Sequence, residues 1–403
     1  MVVLTLRHGF VADAVSGYAW FGVITGSFFN RHREGMAFAR LALGFVDRHG
    51  LPFRAGVLLS THFCSVWVEP LARARELILE GLSHARQSGS TSSASYCGSA
   101  LVTLRLAMGH PLDEVHQETL SRGEVVRKMG FVDPHEWLLV VQRYVQQLRG
   151  HTPSFQSLDG DGFEERAYEA RMTPQRMGAT RCHYWLFKLQ SRYMCGAYEE
   201  AREAAEQVAG LLWATTGSLN AREGHFFRAL ALAACLEAAP PQRRQEDLAA
   251  IARHHQRLAE WAELCPENFR ALERLVFAER ARLEARSEEA IHAYEEAIRA
   301  AQESGATQYR HWPVSSRRTS GARAACPSSP RASRTRPTRR TSNGAPTPRR
   351  GSSRPSGRTS RPRRPTGTRR PRPPAARTPP TSTRSPWSRR SRPSPARSCW
   401  SAW

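Results

Sequence analysis

Four groupings of acidic, histidine and cysteine residues in this 403-residue chain have side chains that could bind or react. Asp159-Gly-Asp161-Gly-Phe163-Glu164 spaces its carboxylates somewhat as a calcium loop does. Such a loop needs an oxygen ligand where Phe163 stands and a glycine where Glu164 stands, so the stretch reads as a turn. Cys182-His183 with Cys195, or His254-His255, offers thiolate and imidazole ligands of the kind zinc takes. Tetrahedral zinc needs four convergent ligands at short paired spacings, and that pattern is missing.

His135-Glu136 begins like the phospho-acceptor box of a histidine kinase, but Trp137-Leu-Leu-Val follows and reads as helix core. A phosphate-wrapping loop needs Gly-Lys-Ser/Thr, and the only lysines precede Met129 (Lys128) and Leu189 (Lys188). No G-x-S-x-G, HExxH or GxGxxG occurs. The sequence thus offers no catalytic, cofactor-binding or metal-binding residue, and the chain is expected not to be an enzyme. The competing enzyme reading requires a deep polar cleft with pKa-shifted groups around His183 or His254.

The elements that would carry such residues are helices. Between Asn268 and Gly305 the chain reads as a helical hairpin. Ala290, Ile291, Tyr294, Ala297, Ile298 and Ala301 recur at the helical period, with Glu288, Glu289, Glu295, Glu296 and Arg299 opposite. Ser287 is the expected N-cap and Gly305 the left-handed C-terminal stop. The Ala290, Tyr294, Ala297 spacing is that of the second helix of a tetratricopeptide repeat, and Ala201, Ala205 and Val208 repeat it.

Helix-ending glycines at Gly50, Gly89, Gly130, Gly217 and Gly305 lie 39, 41, 87 and 88 residues apart, multiples of roughly forty. Further pairs are expected from residues 10–30 with 33–50, 51–65 with 71–89, 96–108 with 112–129, 181–194 with 198–213, and 221–238 with 242–264. A helix also runs from Asp133 to Leu148. Ser88–Ser95 reads as a capped turn, and the turn-rich stretch Gly150–Gly162 marks the half-way boundary. The fold class is all-α, a tetratricopeptide-like helical-hairpin solenoid, with a non-repetitive helical bundle as the alternative.

Charge divides the chain in two. Residues 311–403 hold 24 arginines, no Asp, Glu or Lys, no Leu, Ile, Met, Phe or Tyr, and 17 of the 26 prolines. The formal net charge is +23, yet residues 1–310 balance 35 basic against 36 acidic side chains. The last segment cannot build a core and is expected to be a disordered basic tail. Its composition is also that of a GC-rich gene read out of frame, and GC-rich codons for residues 312–328, shifted, give an amphipathic helical sequence. A frameshift near Arg310 is therefore expected. The alternative is an arginine-rich arm binding nucleic acid non-specifically and salt-dependently.

Eight cysteines stand far apart without a CxxC pair, and the apolar start breaks at Arg7 and His8. No apolar run is long enough for a membrane span, so a cytoplasmic protein with reduced thiols and no membrane partner is expected.

Gly17–Gly22 (GYAWFG), Phe38–Leu43 (FARLAL), Glu223–Ala234 (EGHFFRALALAA) and Trp261–Phe269 (WAELCPENF), with the EEAIHAYEEAI hairpin behind them, carry a family resemblance. Residues 1–310 resemble the helical region of large bacterial signalling proteins that fuse a serine/threonine kinase, an AAA-type ATPase, a GAF sensor and a histidine kinase. None of that family's catalytic residues falls on this sequence. The resemblance implies a middle piece: a non-catalytic scaffold whose helical grooves contact protein partners or neighbouring signalling domains. Its organisation is then helical repeats over 1–150 and 151–310 and the basic tail over 311–403.

Overall fold

Left-handed glycines end one helix after another: Gly50, Gly89, Gly109, Gly130, Gly150, Gly196 and Gly305 all have φ between 60° and 81°. From Gly89 to Gly150 they stand 20, 21 and 20 residues apart, one helix per interval and one hairpin per two, which is the origin of the forty-residue period. The computed structural model describes residues 2–9, 12–215 and 217–310, so the expected tail of 311–403 lies outside the described residues.

The helices are α1 (Val2–His8), α2 (Ala14–Phe29), α3 (His32–His49), α4 (Arg54–Val68), α5 (Leu71–Gln87), α6 (Thr91–Ala107), α7 (Leu112–Lys128) and α8 (Val132–Leu148). There follow α9 (Glu165–Glu169), α10 (Gly178–Met194), α11 (Tyr198–Ala209), α12 (Leu219–Cys235), α13 (Pro241–Leu264), α14 (Pro266–Leu283), α15 (Ser287–Glu303) and α16 (Thr307–Arg310). Two short 3-10 turns, Leu212–Thr215 and Leu236–Ala238, complete the set, and no strand occurs among the described residues.

The contacts have the order of a solenoid. Each helix other than α9 packs on its neighbour in sequence, α8 and α10 packing directly on each other, and α2, α4, α6, α8, α10, α12 and α14 also pack on one another in succession. These make an inner layer, with α3, α5, α7, α11, α13 and α15 outside it. Helix α8 lacks an outer partner of comparable length; the 150–177 segment with α9 follows it instead. Residues on both sides of that loop, among them Leu101, Leu104, Leu186 and Phe226, belong to one hydrophobic core.

The first hairpin is the closest-packed. A Cβ on Gly22 would lie 2.4 Å from the Gly35 carbonyl oxygen, and one on Gly35 would lie 2.4 Å from that of Gly22. Only glycines let the α2 and α3 backbones approach this far.

Several local expectations are corrected. Helix α6 starts at Thr91, so the serine run is mostly helical; Ser95 and Ser99 donate to the carbonyls four residues earlier instead of forming a turn. Ser287 is the first residue of α15 and Arg286 occupies the N-cap position without a side-chain cap. The buried stripe of α15 is Ala290, Ala293, Tyr294, Ala297 and Ala301, whereas Ile291 is 50% exposed. Gly217 lacks the positive φ of the other stops; a Cβ there would meet Val23 of α2 at 3.0 Å.

Candidate functional site

The inner layer lines a cavity of about 330 Å³ that is partly open to solvent. Its wall comes from the inner helices and one 3-10 turn: Trp20 of α2, His62 and Phe63 of α4, Tyr96 of α6, Trp137 of α8 and His183 of α10 are representative. Small side chains, Gly56, Ala100, Ala179 and Ala214, leave the space that the aromatic rings frame. No Asp, Glu, Lys or Arg lines it, in a chain that is 24% charged.

Hydrogen bonds fix what the polar wall can offer. His62 donates from Nδ1 to the Leu59 carbonyl at 2.5 Å, since a carbonyl can only accept. That tautomer makes Nε2 an acceptor. Burial lowers the His62 pKa to about 4, so the ring is neutral near pH 7. His183 donates from Nε2 to the Trp137 carbonyl at 3.2 Å, and its Nδ1 accepts from Asn220 Nδ2 at 3.3 Å. Burial lowers its pKa to about 4 as well. Trp137 donates from Nε1 to Thr180 Oγ1 at 2.9 Å, and Thr180 donates onward to Asp133 at 2.7 Å. The indole and the His183 imidazole are thereby locked in place.

A second histidine group lies in the core. His225 and His254 meet Nδ1 to Nδ1 at 3.0 Å, and His225 packs edge-on to Trp261. Trp261 in turn contacts Trp67, on which His32 stacks. Burial, with the Arg228 charge as the next cause, lowers the His254 pKa to about 2. Burial also lowers His32 and His225 to about 4.

The residues singled out from sequence are not brought together. Cys182 contacts Thr215, Cys195 contacts the Arg192 carbonyl, and His183 points to Trp137. His254 turns to His225 while His255 bonds to Glu273 at 2.9 Å. Among the described residues no group of three or more His, Cys, Asp or Glu side chains is placed to hold a metal ion.

Glu136 accepts from Arg176 and from Tyr168, and Leu138 and Val140 behind it are buried. In the Asp159–Glu164 loop the guanidinium of Arg143 fills the place a cation would take. It donates to the Leu158 carbonyl at 2.9 Å, the Asp159 carbonyl at 2.6 Å and Asp161 Oδ2 at 3.0 Å. Among the described residues, Cys64, Cys97, Cys182, Cys235 and Cys265 are free thiols. No helix among the described residues is long and apolar enough to cross a membrane.

Of the cavity wall, sequence reasoning had singled out His183 alone, as the competing enzyme centre. The missed signal is a hydroxyl stripe: Ser92, Ser99 and Thr103, seven and four residues apart, share one face of α6 and line the space. No protein-family model matches the chain, and no curated protein matches it.

Proposed function

We propose that residues 1–310 are a non-catalytic helical-repeat module of a cytoplasmic bacterial signalling protein. It mechanically joins and spaces the kinase–ATPase and GAF–histidine-kinase parts suggested by the resemblance of GYAWFG, FARLAL and WAELCPENF. The observation that carries this reading is the set of large apolar side chains that the first hairpin exposes. Phe21 is 40% exposed, Leu41 44%, Phe28 55% and Phe29 69%. Terminal repeats of free-standing solenoids carry polar outer faces, so an apolar one belongs to a hairpin stacked against a neighbouring folded segment.

The inner surface is taken up by core and cavity, which leaves outer helices and the ends of the stack for protein contacts. In this reading residues 311–403 arise from a frameshift near Arg310. The deciding experiment is a nucleotide-level reading of the gene and its flanks. Kinase–ATPase coding upstream and GAF–histidine-kinase coding in a shifted frame downstream are expected; stop codons soon after Arg310 in both shifted frames, with no such coding on either side, would refute it.

The 24 arginines of residues 311–403, uncompensated by any acid, favour a second reading as a nucleic-acid-binding arm. Retention of the full chain on immobilised DNA at low salt, abolished by deleting 311–403, would favour it over the first.

A further inference from the structure

The cavity inside the array has no part in the module function just proposed, yet its wall has the composition of a small-molecule site. We infer that it binds an uncharged aromatic molecule carrying an N–H or O–H donor, in the size class of an indole. Four features lead there.

The volume, about 330 Å³, lies in the range of small-ligand sites. Trp20, Phe63, Tyr96 and Trp137 present ring surface from four different inner helices, and edge or face contact with such rings favours an aromatic guest. The wall carries no ionised side chain. An anion would meet the first turns of α6, α10 and α12 near Ser92, Ala179 and Leu219, but no counter-charge, and burying it is costly.

The fourth feature is a group of acceptors, which stands beside the donors of Ser92, Ser93, Tyr96 and Asn220. Ser99, Thr103, Thr215 and Ser218 each donate their hydroxyl hydrogen to a backbone carbonyl. What they can offer a guest is an oxygen lone pair. His62 is 5% exposed, with Nδ1 committed to Leu59 and Nε2 left as a bare acceptor. A donor on the guest satisfies that nitrogen; a guest without one leaves it unpaired, which is the basis of strong discrimination in buried sites.

The test is calorimetric titration of the full chain with indole, N-methylindole and indole-3-carboxylate, with thermal unfolding alongside. Indole is expected to bind and raise Tm. N-methylindole, one methyl group larger and without the donor, is expected to bind about tenfold more weakly, and the carboxylate more weakly still. Ala100→Phe, placing a ring in the cavity, is expected to abolish indole binding with the helical circular dichroism unchanged. A crystal soaked in indole locates the guest without any substitution. No binding of indole, equal affinity for indole and N-methylindole, tighter binding of the carboxylate, or indole located outside the Trp20–Trp137 space would each overturn the inference.

Discussion

The carboxamide of Asn268, at the start of α14, accepts a hydrogen bond from the backbone N–H of Leu71 at 3.1 Å across 197 residues of chain. The same side chain donates to the carbonyls of Val66 and Glu69, both at 2.8 Å. It satisfies one free N–H at the start of α5 and two carbonyls at the end of α4, next to the stacked rings of Trp67 and Phe269. These bonds join late helices of the array to early ones.

Asn268→Asp keeps the shape but turns two donors into an acceptor facing two carbonyls. A loss of about 3 kcal/mol is expected in urea unfolding, with Asn268→Ala about as costly because three buried backbone groups lose their partner. A loss below about 0.5 kcal/mol for both would mean the α4–α14 contact is held by the rings alone.

The helical class was legible because glycine stops and apolar stripes are local signals, each read within a few turns of chain. The WAELCPENF segment stood out, but nothing local told that its asparagine reaches Leu71, since that partner is set by how far the array curls. The cavity was hidden for the same reason. Trp20, His62, Tyr96 and Trp137 are each unremarkable on their own helix and converge with His183 only when the inner helices are stacked. Ile291 failed differently: its position borders the stripe, and the α14 contact rotates α15 to bury Ala293 instead.

Acid is expected to unfold the protein through its buried histidines. His32, His62, His183 and His225 have pKa values lowered from 6.5 to about 4 by burial. Above pH 7 they are neutral in both folded and unfolded chains and contribute nothing. Between pH 6.5 and 4 the unfolded chain takes up protons that the folded one refuses, so stability falls as pH falls, and the contribution of these four rings levels off below 4. Each contributes about 3 kcal/mol of loss by pH 4, and together they match the whole stability of an ordinary domain. Circular dichroism should show cooperative unfolding with a midpoint near pH 5. A fold intact at pH 4 would mean these rings are solvated or paired when charged.

Arg143 is 1% exposed and binds the 158–161 loop through its fork of donors. Lysine keeps the charge but cannot span three acceptors. Arg143→Lys is therefore expected to cost about 2 kcal/mol and to open residues 150–164 to limited proteolysis, while millimolar calcium leaves the Tm of the unmodified protein unchanged. A calcium-induced rise in Tm would show that the loop can bind a cation despite the guanidinium.

The α14–α15 turn places Ala285 at φ 59°, the position that glycine fills at most other helix ends of the array. A side chain there costs about 1 kcal/mol through contact of Cβ with the backbone, more than glycine's added freedom in the unfolded chain. Ala285→Gly is thus expected to stabilise the protein by about 0.5 kcal/mol, read as a higher urea midpoint with unchanged slope. Gly22→Ala is the opposite case, because its Cβ would press on the Gly35 carbonyl at 2.4 Å. There the helices must separate, and a loss of about 3 kcal/mol is expected. If Ala285→Gly destabilises instead, the freedom that glycine adds to the unfolded chain outweighs the strain relieved at φ 59°.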